Sequence, residues 1–73
     1  MPKLYSARDV LSALRRAGFT LISQKGSHVK LEKKTHSGKI VTIVPMHKEL
    51  APGTLKGILE LAKVTEQKFW EKV

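Results

Sequence analysis

The sequence predicts an α+β domain, with two amphipathic helices on one face of a three-stranded antiparallel sheet and a short C-terminal helix after them. Three observations carry the prediction. Apolar residues recur at helical spacing near both ends of the chain, three segments between them alternate as strands do, and polar turns containing glycine separate those segments. The order is helix, strand, strand, strand, helix, helix. At 73 residues the chain is read as one domain, residues 1–73, with a core at about 6–63 and a C-terminal helix at about 65–73.

Ser6-Ala7-Arg8-Asp9 has the form of a capping box, with Asp9 in place of the usual Glu or Gln. Val10, Leu11, Leu14 and Ala17 then form a helical stripe that Gly18 ends, while Arg8, Ser12, Arg15 and Arg16 fall away from it. Phe19 to Gln24 is the first strand and Lys25-Gly26-Ser27 a turn. His28 to Lys33 is the second strand, with Val29 and Leu31 on one face. A polar loop, Lys34 to Gly38, leads into a β-branched third strand, Lys39 to Val44, which Pro45 closes. After a loop from Met46 to Ala51, Pro52 suits the first turn of a helix whose buried stripe is Leu55, Ile58, Leu59 and Ala62. Gly57 weakens that helix, and close packing on the sheet is its expected reason. Thr65 is the expected N-cap of the tail helix, with Phe69, Trp70 and Val73 as anchors.

Burial suggests a register. Pairing Leu31 with Val41, Val29 with Ile43 and Leu21 with Leu31 gathers the apolar side chains, with Phe19, on one face. The other face then carries Ile22, Gln24, His28, Lys30, Glu32, Ile40, Thr42 and Val44. His28 and Lys30 point away from the core in this register. Ile22, Ile40 and Val44 beside them are either scattered exposed residues or a patch on which a partner would cover His28.

Composition narrows the function. Hydrophobic residues at 41% argue against disorder, and the absence of cysteine excludes disulfides and thiolate metal sites. No apolar run reaches membrane-spanning length and Met1 to Tyr5 lacks a signal-peptide stretch, so a cytoplasmic protein is expected. Fourteen Lys and Arg against six Asp and Glu give +8, a balance that favours a polyanion or an acidic partner.

The candidate chemistry centres on His28, which leaves a tight turn beside Lys25 and Lys30. Gly26 permits the turn and a close approach of backbone to phosphate. Such a set suits RNA cleavage by the RNA's own 2′-hydroxyl: a base removes the proton, an acid protonates the leaving oxygen, and cations stabilise the phosphorane. Imidazole transfers protons near neutral pH. On the pattern alone, an ordinary exposed histidine at a strand start is the commoner case.

With His28 opposite Val44, His47 falls nearby, either as a second acid or phosphate ligand or as a solvated loop residue. His36 sits at a hairpin tip, a structural position. Three scattered histidines without spaced carboxylates make a poor metal site, so neither metal nor cofactor is expected. Ser27 lacks a nucleophile elbow and acid–base partners; it is a turn residue with phosphate contact as a second role. Tyr5, Phe19, Phe69 and Trp70 suit a core and a C-terminal lid better than a base-stacking platform.

Arg16-Ala17-Gly18-Phe19, then Gln24-Lys25-Gly26-Ser27-His28, then Val44 to Leu50, then Pro52 to Leu59, resemble in order the HicA-like (YcfA-like) toxins over about residues 6–63. The Gly-Ser-His element together with the Gly-Thr-Leu helix start is the specific part. The resemblance implies a fold like that of double-stranded-RNA-binding domains and ribonuclease activity on mRNA. It implies a catalytic histidine at the Gly-Ser-His position, here His28, and a cognate HicB-like antitoxin that masks it. Many members carry a second histidine or an aromatic residue where this chain has Val29. Two alternatives stand beside the toxin: a non-catalytic RNA-binding module of the same fold, and a pure interaction protein. The start of the second long helix, Pro52 to Lys56, carries one lysine, a weak basic clamp for duplex RNA.

Overall fold

A computed structural model of the chain describes residues 4–72. The elements are α1 (Ala7–Arg16), β1 (Thr20–Lys25), β2 (His28–Thr35), β3 (Gly38–Pro45), α2 (Pro52–Ala62) and α3 (Glu66–Lys72). The strands form one antiparallel sheet in the order β1-β2-β3. This is the expected α+β fold, similar in layout to double-stranded-RNA-binding domains. Among the described residues, no helix is long and apolar enough to cross a membrane.

Local signals in the sequence account for the helix ends. The Ser6 hydroxyl accepts from the Asp9 amide at 3.1 Å and the Asp9 carboxylate accepts from the Ser6 amide at 3.2 Å, so the capping box is complete. Gly18, at φ +103°, turns the chain from α1 toward β1. Pro52 starts α2, and the Thr65 hydroxyl accepts from the Lys68 amide at the start of α3. Phe69 is buried and Trp70 is 56% exposed, its ring meeting Tyr5 edge-on at 5.1 Å. Val73, expected as a third anchor, lies outside the described residues, as does the N-terminal stretch before Leu4.

The core lies between the sheet and the helices. It is built from Val10, Ala13 and Leu14 of α1, Val29 and Leu31 of β2, Val44 of β3, and Ile58, Leu59 and Ala62 of α2, with Phe19, Leu50 and Phe69. Two corrections to the expected register follow. Leu31 pairs with Thr42 and Val29 with Val44, one residue beyond the expected Val41 and Ile43. The reason is the hairpin: a two-residue turn, His36-Ser37, joins Thr35 to Gly38, where a longer loop was expected. Thr42 and Val44 therefore face the core and Ile43 faces out. Thr42 is 0% exposed, and its hydroxyl donates to the Ile58 carbonyl of α2 at 2.9 Å, which satisfies that buried polar group. Ile40 is half-buried against the core and leaves the outer face as well.

The second correction concerns β1. Leu21 does pair with Leu31, but the ladder then slips, so that Ser23 pairs with Lys30, Gln24 with Val29 and Lys25 with His28. Ile22 is the extra residue of a β-bulge. Gln24 moves off the outer face, and Ser23 and Lys25 move onto it. Every residue of β1 is exposed, Leu21 at 41%, because the helices pack mainly over β3. Gly57 corrects a third expectation. It is exposed, and a side chain added there would meet nothing within 4 Å, so it does not mediate helix–sheet packing.

Candidate nuclease site

The site is built on the sheet face opposite the helices. Val29 and Leu31 are buried, so alternation sends His28 and Lys30 to the open side. Cross-strand pairing sets two rows there: Lys25, His28 and Pro45 in one, Ser23, Lys30 and Ile43 in the next. Ser23, Lys25, His28, Lys30 and Ile43 line a shallow depression of about 450 Å³. His28 and both lysines are exposed, and the imidazole makes no hydrogen bond to any described residue. Both ring nitrogens are therefore available to a ligand.

The turn that delivers His28 has its own chemistry. Gly26 takes the first central position at φ +61° and no other turn residue has positive φ, the backbone pattern of a II′ hairpin turn. The Gln24 side-chain amide donates to the Gly26 carbonyl at 3.2 Å. On the other side, the Met46 amide donates to the Ser27 carbonyl at 2.6 Å and extends the β2–β3 pairing past His28. The turn is thus tied to its own strand and to the chain leaving β3. Gly26 and Ser27 are exposed beside the depression rather than among the side chains lining it.

His28 lies opposite Pro45, one residue beyond the expected Val44. His47 lines a different depression, with Ser6, Ala7, Arg8, Met46 and Lys48 at the start of α1. Its carbonyl accepts from the Ala7 amide at 3.0 Å. The structure thus brings Lys25, His28 and Lys30 together and sets His47 around the end of the sheet. Sequence reasoning missed Ser23 and Ile43. Ser23 reaches the site through the bulge, which leaves no mark on hydrophobic periodicity; Ile43 reaches it through the short second hairpin. The exposed apolar residues of this region are Ile22 and Ile43, each 45% exposed, in place of the expected Ile22, Ile40 and Val44.

Among the described residues, no three His, Cys, Asp or Glu side chains are grouped as metal ligands. A separate apolar depression of about 180 Å³ between the N-terminal segment, α2 and α3 is lined by Tyr5, Leu50, Leu55 and Trp70 among others, with no histidine. Its ionisable lining side chains are Tyr5, Lys56 and Glu66, and it presents no imidazole.

A small basic α+β domain that presents a histidine between lysines on an uncovered sheet face is a candidate polyanion-processing protein. The family model described as the HicA toxin of bacterial toxin–antitoxin systems matches residues 7–64, and the chain belongs to that family. The match runs from the start of α1 to just past α2, includes His28, and leaves α3 outside. A comparison with curated protein sequences finds no match.

Proposed function

We propose that this toxin is a metal-independent endoribonuclease that cleaves mRNA in the cytoplasm, with His28 as its acid–base residue. The observation that carries the reading is the unpartnered imidazole of His28 in an open depression beside Lys25 and Lys30. In this reaction His28 takes the proton of the 2′-hydroxyl as that oxygen attacks the adjacent phosphorus. The bond from phosphorus to the 5′-oxygen breaks, and the imidazolium just formed returns a proton to the leaving oxygen. The products are a 2′,3′-cyclic phosphate and a 5′-hydroxyl end. Lys25 and Lys30, with the backbone of Gly26 and Ser27, hold the phosphate and offset charge on the phosphorane. A HicB-like antitoxin fits the same face, with Ile22 and Ile43 as its apolar contacts and His28 beneath it.

Wild-type expression is expected to arrest growth and degrade mRNA. His28→Ala should lower cleavage by about 100- to 10,000-fold, the usual worth of a positioned acid–base group. It should also leave the melting curve within about 0.5 kcal/mol of wild type, since an exposed side chain without partners supports little stability. Cleavage should survive EDTA. A folded His28→Ala protein that cuts RNA at the wild-type rate refutes the assignment. Salt-sensitive RNA binding by a wild-type protein that cuts nothing would identify the non-catalytic module instead.

A further inference from the structure

We infer that the exposed face of α1 is a second RNA-backbone site, joined to the His28 depression by a cationic track around one end of the sheet. The inference rests on RNA being the ligand of that depression and extends it to a strand longer than the cleaved step. Arg8 and Arg15 are seven residues apart, so they share one helix face, with Ser12 between them, about 10 Å apart along the axis. They line one shallow depression with Leu11, Ser12 and Arg16. Arg16 is committed elsewhere, since its guanidinium donates to the Lys72 carbonyl at 2.6 Å. Among the described residues, Arg8 and Arg15 have no carboxylate within salt-bridge distance, and the ion pair is Lys39 with Glu32.

Continuity comes from the chain that leaves β3. His28 pairs with Pro45, Met46 is bonded to the Ser27 carbonyl, and the His47 carbonyl accepts from Ala7. That chain length sets His28 and the start of α1 no more than roughly 20 Å apart. Exposed His47 and Lys48 line the concavity between, together with Arg8. Lys25, Lys30, Lys48, Arg8 and Arg15 therefore form a band from the outer sheet face to the outer helix face. The acids on the adjoining segments are Asp9, whose carboxylate is held in the cap by the Ser6 amide, and exposed Glu49.

The surface suits a nucleic-acid strand better than an acidic protein. Among the described residues, the large exposed apolar side chains are Leu4, Leu21, Ile22, Ile43, Leu61 and Trp70, and none lies on α1. A stable protein interface needs an apolar centre, which the outer sheet face offers; on α1 the apolar side chain in the depression is Leu11, half-buried against the core. A flexible single strand needs cations along its path.

The test compares unstructured labelled polyuridines of about 20 and about 4 nucleotides, lengths that bracket a small domain's single-strand site. Each is bound to the full chain carrying His28→Ala, with and without Arg8→Ala and Arg15→Ala. Alanine preserves helix propensity, so α1 should stay folded. Removing two phosphate contacts should reduce the salt slope for the longer RNA by about 1.4 and its affinity at 0.1 M salt by about 25-fold, at roughly 0.7 per contact. The advantage of the longer RNA over the shorter should collapse. An unchanged slope, or an equal loss when Lys34→Ala and Lys39→Ala remove two charges from the far end of the sheet, overturns the inference. So does a double variant that keeps its RNA affinity and loses only the antitoxin, which would make α1 a protein interface. Because the readout is binding, a failure of cleavage by the wild type strikes the nuclease reading and not this one.

Discussion

A lysine at position 42 and a lysine at position 43 should have opposite fates, and the difference measures the register that aims the site. Thr42 is 0% exposed, faces α2 and donates its hydroxyl to the Ile58 carbonyl, whereas Ile43 is 45% exposed on the outer face beside Lys30. Thr42→Lys would put an ammonium into the core without a carboxylate partner, at a cost of several kcal/mol. A 73-residue domain has roughly 4–11 kcal/mol of stability in all, so this variant should be largely unfolded or insoluble. Ile43→Lys gives up only part of one apolar side chain's burial and can extend its amine into water, a loss of about 1 kcal/mol or less. Thr42→Ala is the graded control. It loses one buried hydrogen bond and one methyl group, about 2 kcal/mol together, or roughly 8–16 °C in Tm for a domain of this size. Urea and thermal melts followed by far-ultraviolet circular dichroism read all three. A cooperatively folded Thr42→Lys protein with a near-wild-type midpoint, beside an unfolded Ile43→Lys protein, would mean that β3 is paired one residue away. The apolar neighbour of the candidate site would then be wrong too.

Two further predictions concern α1 and α2. Gly57→Ala should stabilise the protein by about 0.5–1 kcal/mol, because the position is exposed, helical and free of neighbours within 4 Å; a lower urea midpoint would show a contact at that face. Ser6→Ala should cost about 1 kcal/mol through the lost cap to the Asp9 amide, and amide exchange should report the loss first in the opening turn of α1.

Most of the element order was legible because each element carries a local cause. Ser6 with Asp9, Gly18, Pro52 and Thr65 mark helix ends by chemistry within four residues, and Val29 and Leu31 mark the buried side of β2 by alternation. Of the site, His28 and Lys30 were legible for the same reason: they alternate with Val29 and Leu31 on one strand. What failed depends on features that hydrophobic periodicity does not report: the length of a turn, a bulge, and contacts made or missing between elements. Whether Thr42 is buried depends on a carbonyl of α2 that satisfies its hydroxyl, and a threonine read by itself looks like an outward residue. Gly57 was read as a packing glycine because a glycine inside a helix usually has a reason, and no contact here supplies one. Ile22 looks like one more alternating residue until its pairing partner is known.

The bulge at Ile22 ties the fold to the candidate chemistry. Strict alternation from Leu21, which faces the helix side opposite Leu31, would return Ser23 and Lys25 to that side and leave His28 with Lys30 as its one lysine neighbour. One unpaired residue reverses the phase, so that the last half of β1 presents Ser23 and Lys25 to the open face. β1 tolerates this because no helix covers it, and all six of its residues are exposed. The same exposure means that little apolar burial opposes the bulge. β2 is different: Val29 and Leu31 lock its phase, so His28 is aimed by core residues that it does not touch. The depression therefore joins a strand fixed by the core to a strand whose phase is set by one extra residue, and Lys25 meets His28 only because both conditions hold.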